Sequence, residues 1–174
     1  MRKSLLSIIL CLFTCIVYSQ KIQNSIWGCE FGSKKSDVIS VIKKQGLKYV
    51  DKGMKIEIES PEFAGITFDY AVFSFYLDRM YICFFAHYIH DKSSAVSVYS
   101  YIKKNLINKY GTVKESIDNK TKTIFYCDNI NGIKLDLIEK ESRAKVPNGI
   151  FNFSYFVGLS YVNYPILEEV TNGI

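Results

Sequence analysis

Histidine is scarce: the 174 residues contain two, His87 and His90. A zinc site usually takes three or four protein ligands, so two imidazoles do not fill one, and no metal or other cofactor is expected. Their spacing of three residues on a strand also sends them to opposite faces. Cysteine is limited too. Cys11 and Cys15 fall in an apolar leader, which leaves Cys29, Cys83 and Cys127. An odd count allows one disulfide at most, or three reduced thiols packed as small hydrophobes. No apolar run beyond the leader reaches the length of a membrane helix. No basic stripe is present. Without residues 1–19 the chain keeps 20 basic and 17 acidic residues, a net charge of +3. That argues against nucleic acid as a partner. No catalytic signature stands out, so no catalytic residue is assigned.

The first nineteen residues carry an address. Arg2 and Lys3 are followed by Leu5, Leu6, Ile8, Ile9, Leu10, Leu12 and Phe13, and then by Val17-Tyr18-Ser19. A basic start, a short apolar stretch and small residues near a cleavage point describe a secretory signal peptide. Cleavage near Ser19-Gln20 predicts a periplasmic or secreted protein of 155 residues. Leu12-Phe13-Thr14-Cys15 also has a faint lipobox pattern, which places a lipid anchor at Cys15 as another reading.

Aromatic residues are plentiful, with 13 Tyr and 12 Phe, and with Ile and Val they favour strands. Val38, Ile39, Val41 and Ile42 mark one helical face, with Ser33 as N-cap and Gly46 at the end. Ala95, Val98, Ile102 and Leu106 mark a second helix from about Ser93, ended by Gly111. Strands are expected at 66–76 and 79–89, joined at Leu77-Asp78, and at 112–117, 121–128, 132–140 and 150–162. Asn131-Gly132 reads as a hairpin turn, and 141–149 as a polar loop.

The order helix-then-strands occurs twice. Gly46 and Gly111 lie 65 residues apart. Gly65-Ile66-Thr67-Phe68-Asp69 and Gly132-Ile133-Lys134-Leu135-Asp136 share a pattern at a spacing of 67. These landmarks predict an α+β domain over 20–174, made of two tandem helix-plus-antiparallel-strand repeats, about 26–89 and 93–164, with both helices on one face of the sheet. Alternation then assigns side chains to faces. Ile66, Phe68, Tyr70, Val72, Met80, Ile82, Phe84, Ala86 and Tyr88 are expected under the helices, with Ile133, Leu135, Leu137, Val157, Leu159 and Tyr161. That leaves Phe73, Phe75, Tyr81, Phe85, His87 and Phe156 outward. Exposed aromatic patches mark partner sites, so Phe73, Phe75, Tyr81, Phe85 and Phe156 are the candidate binding residues.

The segment Gly-Ser-Lys-Lys-Ser-Asp-Val-Ile-Ser-Val-Ile-Lys-Lys-Gln-Gly, Gly32 to Gly46, follows an Ile26-Trp27-Gly28 lead-in. It resembles the opening of small exported proteins with the β-lactamase-inhibitor-protein-like fold. It is also similar to the small lipoprotein of the outer-membrane β-barrel assembly machinery. Leu159-Ser160-Tyr161 resembles the last strand of secreted proteins from Bacteroides-like bacteria. The resemblance implies helical segments on an antiparallel sheet whose open face binds protein partners, and no catalytic residues.

Three constellations bear on chemistry. Cys83 and His87 share a strand face, but four residues span about 13 Å, too far for a nucleophile and its base. Asp69 and Asp136 occupy matching places in the two repeats and are expected outward, as solvated edge residues. Asn119-Lys120-Thr121 and Asn152-Phe153-Ser154 match a common glycosylation triplet. The expected function is an exported, non-enzymatic protein-binding or inhibitor-like module. The alternatives are an envelope-assembly scaffold, or a small envelope hydrolase using His87, Asp69 or Cys83.

Overall fold

A computed structural model describes residues 21–111, 113–128, 130–146 and 149–173. The expected signal peptide, its expected cleavage point and Cys15 lie outside the described residues. Strands take 51% and helices 26% of the described residues, so β structure dominates.

The chain opens with a small hairpin, β1 (Ser25–Ile26) and β2 (Cys29–Glu30), and then helix α1 (Lys35–Lys44). Five strands follow: β3 (Tyr49–Asp51), β4 (Lys55–Glu59), β5 (Glu62–Phe63), β6 (Ile66–Thr67) and β7 (Tyr70–Tyr76). Strand β8 (Arg79–Ile89) leads into helix α2 (Lys92–Tyr110). Then come β9 (Lys114–Ile117), β10 (Thr121–Cys127), β11 (Asn131–Val146), β12 (Gly149–Asn163) and helix α3 (Tyr164–Asn172). Eight strands form one antiparallel sheet in the order β3-β4-β7-β8-β12-β11-β10-β9, while β5 and β6 pair separately.

The helices form where apolar stripes meet end signals. Val38 and Ile42, one turn apart, bury the inner side of α1. Its N-terminus has no side-chain cap of its own. Instead the Lys35 amide donates to Asp78 Oδ1, brought over from the β7–β8 turn, so Ser33 is not the cap. In α2, Ala95, Tyr99, Ile102, Leu106 and Tyr110 are buried, and Asp91 caps the start by accepting from the Ser94 amide at 2.8 Å. Helix α3 is capped by Asn163 and carries Pro165 in its first turn. No helix among the described residues is long and apolar enough to cross a membrane.

The expected pair of tandem repeats with helices on one face is corrected by this architecture. The sheet is continuous, since β8 and β12 pair directly from Tyr155↔Ile89 to Val162↔Ile82. Nor do the helices share one face. Helix α2 packs against β11, β12 and β8, over the core of Phe73, Phe85, Leu135, Val157 and Leu159. Helix α3 lies across the other face. A Cβ placed on Gly132 would meet the Tyr164 hydroxyl at 2.3 Å, and the Tyr164 ring contacts that of Phe125. Gly132 and Phe125 are on the side away from Ile133, Leu135 and Ile124. Two long strands also differ from expectation. Residues 141–146 continue β11 instead of forming a loop, and Asn131-Gly132 begin that strand instead of turning. Residues 149–154 of β12 run past the end of its pairing with β8, and Ile150 there is 76% exposed.

The two faces of the central strands are exchanged relative to the sequence expectation. Phe73 and Phe85 are fully buried in the core and Phe75 is 5% exposed, so these three are not surface residues. Two irregularities cause the exchange. Ile66–Thr67 belongs to the separate small hairpin, and β7 starts only at Tyr70, so alternation cannot be counted through Phe68 and Asp69. In β8, Phe75 pairs with Met80 but Ser74 pairs with Ile82, which leaves Tyr81 as the extra residue of a bulge. Met80 therefore stays inward, whereas Ile82, Phe84, Ala86 and Tyr88 turn outward.

Candidate functional site

The open face of the central sheet carries a second set of aromatic residues. Tyr70 and Val72 come from β7, Phe84, Ala86 and Tyr88 from β8, and Phe156 and Gly158 from β12. Their rings form a connected series. Tyr70 meets Tyr88 edge to face with centroids 6.4 Å apart. Tyr88 lies 5.6 Å from Phe156, which lies 5.9 Å from Phe84. Such tilted and edge contacts are favourable for aromatic pairs. Phe153 adds a ring 4.7 Å from Tyr88.

Small residues form the floor. Ala86 stands opposite Gly158 across the β8–β12 ladder. A Cβ on Gly158 would lie 2.7 Å from Phe156 Cε1 and 3.0 Å from Phe84 Cε2. Glycine is thus what lets both rings fold down over the strand. Beside them is a depression of about 280 Å³ lined by Lys52, Glu57, Tyr70, Val72, Phe84, Ala86 and Tyr88.

The rim is polar. Lys52 pairs with Glu57. Partial burial, then Glu59, Glu57 and Asp69, push the Tyr70 phenol up from its ordinary value. Burial, then Tyr70, Asp69 and Glu57, do the same for Tyr88. Both hydroxyls therefore stay protonated and able to donate at neutral pH.

Of the expected binding residues, Phe156 lies on this face and is half-buried. Tyr81 is half-buried at the bulge, and Phe73, Phe75 and Phe85 are core residues. Tyr70, Phe84 and Tyr88, expected under the helices, lie on the open face. The signal that places them was present in Lys55-Ile56-Glu57-Ile58-Glu59, whose strict alternation fixes Ile56 and Ile58 inward. Their partners Phe73 and Ala71 must then also face inward.

Asp69 and His87 come together at the start of β7, with His87 on the core side of β8 opposite Val157 and against the Phe68 ring, not outward as expected. Asp69 Oδ2 lies 3.0 Å from His87 Nδ1 and accepts the Tyr88 amide at 2.7 Å. Strand β7 has not yet begun there, so this carboxylate takes the place of a ladder carbonyl. Cys83 is fully buried, and burial pushes its thiol well up, which disfavours the nucleophilic thiolate. Cys29 is buried and its thiol is pushed up to about 11, while Cys127 is exposed. Asp136 is 8% exposed on the open face, not solvated as expected, and is held by Thr123 Oγ1 at 2.6 Å and Lys134 Nζ at 2.9 Å. His90 lines a separate shallow depression with Glu141, Arg143 and Asn152 on the β11–β12 hairpin.

No family model, curated protein or solved structure matches this chain.

Proposed function

We propose that this chain is an exported, non-catalytic protein-binding module that presents the open aromatic face of its sheet to a partner in the cell envelope. The observation that carries the reading is the ring series Tyr70–Tyr88–Phe156–Phe84 beside a depression of about 280 Å³. Tyr and Phe supply large contact areas with few rotors to freeze, and such residues dominate binding energy at protein interfaces. The Lys52–Glu57 pair and the tyrosine hydroxyls add a polar rim of the kind that orients a partner. Export rests on the leader at 1–19.

Photo-crosslinking tests the reading. A photoreactive residue replaces Phe84 or Phe156 in the host cell, and Tyr101 on the exposed side of α2 serves as control. One defined adduct, shared by the two sheet positions and missing from the control, is expected. Adducts from Tyr101 alone contradict it.

A second reading, a small envelope hydrolase, rests on the 3.0 Å contact between Asp69 and His87, since a carboxylate that orients an imidazole is one part of an acid–base pair. Activity on an ester, peptide and glycoside panel that disappears in His87→Gln favours it. A silent panel removes it.

A further inference from the structure

Two of the three cysteines beyond the leader are turned into the same core. Cys29 is 1% exposed, Cys83 is fully buried, and the structure holds both as thiols. Cys29 lies in the small N-terminal hairpin, where it pairs with Ile26. Cys83 lies in the middle of β8, opposite Phe73 of β7 and Tyr161 of β12. Cys127, at the end of β10, is exposed.

Contacts at both ends of the hairpin segment lay it over the inward side of β8. At one end the Trp27 ring meets Phe73 at 5.9 Å and Phe85 at 5.4 Å. Phe73 stands directly across from Cys83, and Phe85 is two residues further along the same strand face. At the other end the Gly32 amide donates to the Met80 carbonyl at 2.8 Å, and the Met80 amide to the Ser33 carbonyl at 3.0 Å. Residues 27–32 therefore run above β8 from Phe85 to Met80. Because of the bulge at Tyr81, the one inward residue between those two is Cys83. Cys29 is midway along the segment above it. Burial first, and then Cys29, push the Cys83 thiol up, as expected of two neighbouring sulfurs in a dry core.

We propose that Cys29 and Cys83 are a disulfide-forming pair, and that Cys127 remains the single thiol. The oxidant is another disulfide, either a small one such as oxidised glutathione or that of an envelope thiol oxidoreductase. One cysteine thiolate attacks it to give a mixed disulfide, and the second cysteine displaces the remaining half. One S–S bond forms in this chain and the oxidant's S–S bond breaks. Two electrons and the two thiol protons pass to the oxidant, which leaves as two thiols. Both cysteines are closed off once the core is complete, so the exchange belongs to folding, before the Trp27 hairpin settles on β8. The bond fixes that hairpin to the central strand. It also closes a loop that holds α1 and β3 to β7, which restricts the unfolded chain. The inference does not involve the open face. It takes from the export reading only the oxidising compartment, and the test supplies its own oxidant.

Refolding of the full chain in mixtures of reduced and oxidised glutathione provides the test. The product is unfolded without reductant, labelled with a maleimide and digested with trypsin. The tryptic peptides 22–34 and 80–92, which carry Cys29 and Cys83, are expected joined and lighter than their sum by two hydrogen atoms. Cys29 and Cys83 should take up label about tenfold less than Cys127, and equally with it after reduction. Cys127→Ser should leave the joined peptides unchanged. Full labelling of Cys29 and Cys83 at every glutathione ratio overturns the proposal, and shows that the two pack only as small apolar groups. A link from Cys127 to either of them overturns it as well. Protein recovered from the host cell separates this inference from export: joined peptides in glutathione with free thiols in the cell support the pairing and contradict the export reading.

Discussion

Ala86 and Gly158 stand opposite each other on β8 and β12, at the point where the rings of Phe84 and Phe156 fold onto the sheet. The Gly158 position has no room for a Cβ unless those rings move. Gly158→Val should therefore lift both rings and weaken partner binding at least tenfold. Its overpacking cost should be about 1–3 kcal/mol, because these half-buried rings can swing toward solvent. Binding assays with the crosslinked partner, alongside denaturant midpoints, separate the two effects. Unfolding without a specific binding defect would contradict the role given to this glycine.

Asp69 ends the ladder where β7 starts. Asp69→Ala leaves the Tyr88 amide without its acceptor and His87 without its partner. A loss of about 1–3 kcal/mol is expected for an unpaired, partly buried donor. Asp69→Asn keeps an acceptor oxygen and should lose clearly less. Chemical denaturation of the three proteins checks the order, and equal losses in both variants would contradict it.

The β7–β8 turn holds Leu77 and Asp78 at φ of +45° and +64°. Aspartate tolerates that region, and leucine does not. Leu77 is also 73% exposed, so its side chain contributes little packing. Leu77→Asn should stabilise the protein by about 1 kcal/mol through relief of backbone strain. A rise in Tm is the readout. Asp78 must be left in place, because it caps α1 through the Lys35 amide.

Asp91 gives a pH prediction. The Ser93 hydroxyl, then the Ser94 amide, hold its carboxyl down to about 2 from an ordinary 3.8. The folded state therefore favours the ionised form, and the sign follows. The stabilisation is present above about pH 4 and is lost as pH falls through about 2. Asp91→Asn should have a lower Tm than wild type at pH 5, and the gap should close toward pH 2. A gap that stays constant across this range would contradict the assignment.

Much of the fold was legible in the sequence, and the reasons are specific. Val38 and Ile42 lie one helical turn apart before Gly46, and Ala95, Ile102 and Leu106 lie before Gly111, so both long-range stripes read as helices. Ile133, Leu135 and Leu137 alternate cleanly because one side of β11 meets the core and the other meets the open face. The candidate site was harder to read. Face assignment depends on an unbroken count of two, and the bulge at Tyr81 and the break at Asp69 each interrupt it. Both faces of β8 are aromatic, so composition gave no warning. The extension of β11 past Glu139 read as loop because polar residues occupy both of its sides. Helix α3 did carry a signal, an Asn163 cap followed by Pro165, but it is only nine residues long and follows directly on a strand.

The most direct test of the binding face compares three substitutions in one assay. Phe84→Ser and Tyr88→Ser alter the open face, and Tyr101→Ser alters the exposed side of α2. Affinity for the crosslinked partner is measured on purified protein, with circular dichroism as a check on folding. The account predicts that each sheet variant stays folded and loses about 10-fold or more in affinity, roughly 1.4 kcal/mol, while Tyr101→Ser binds as wild type does. Unchanged binding in the folded Phe84→Ser and Tyr88→Ser proteins, or a loss confined to Tyr101→Ser, would contradict it.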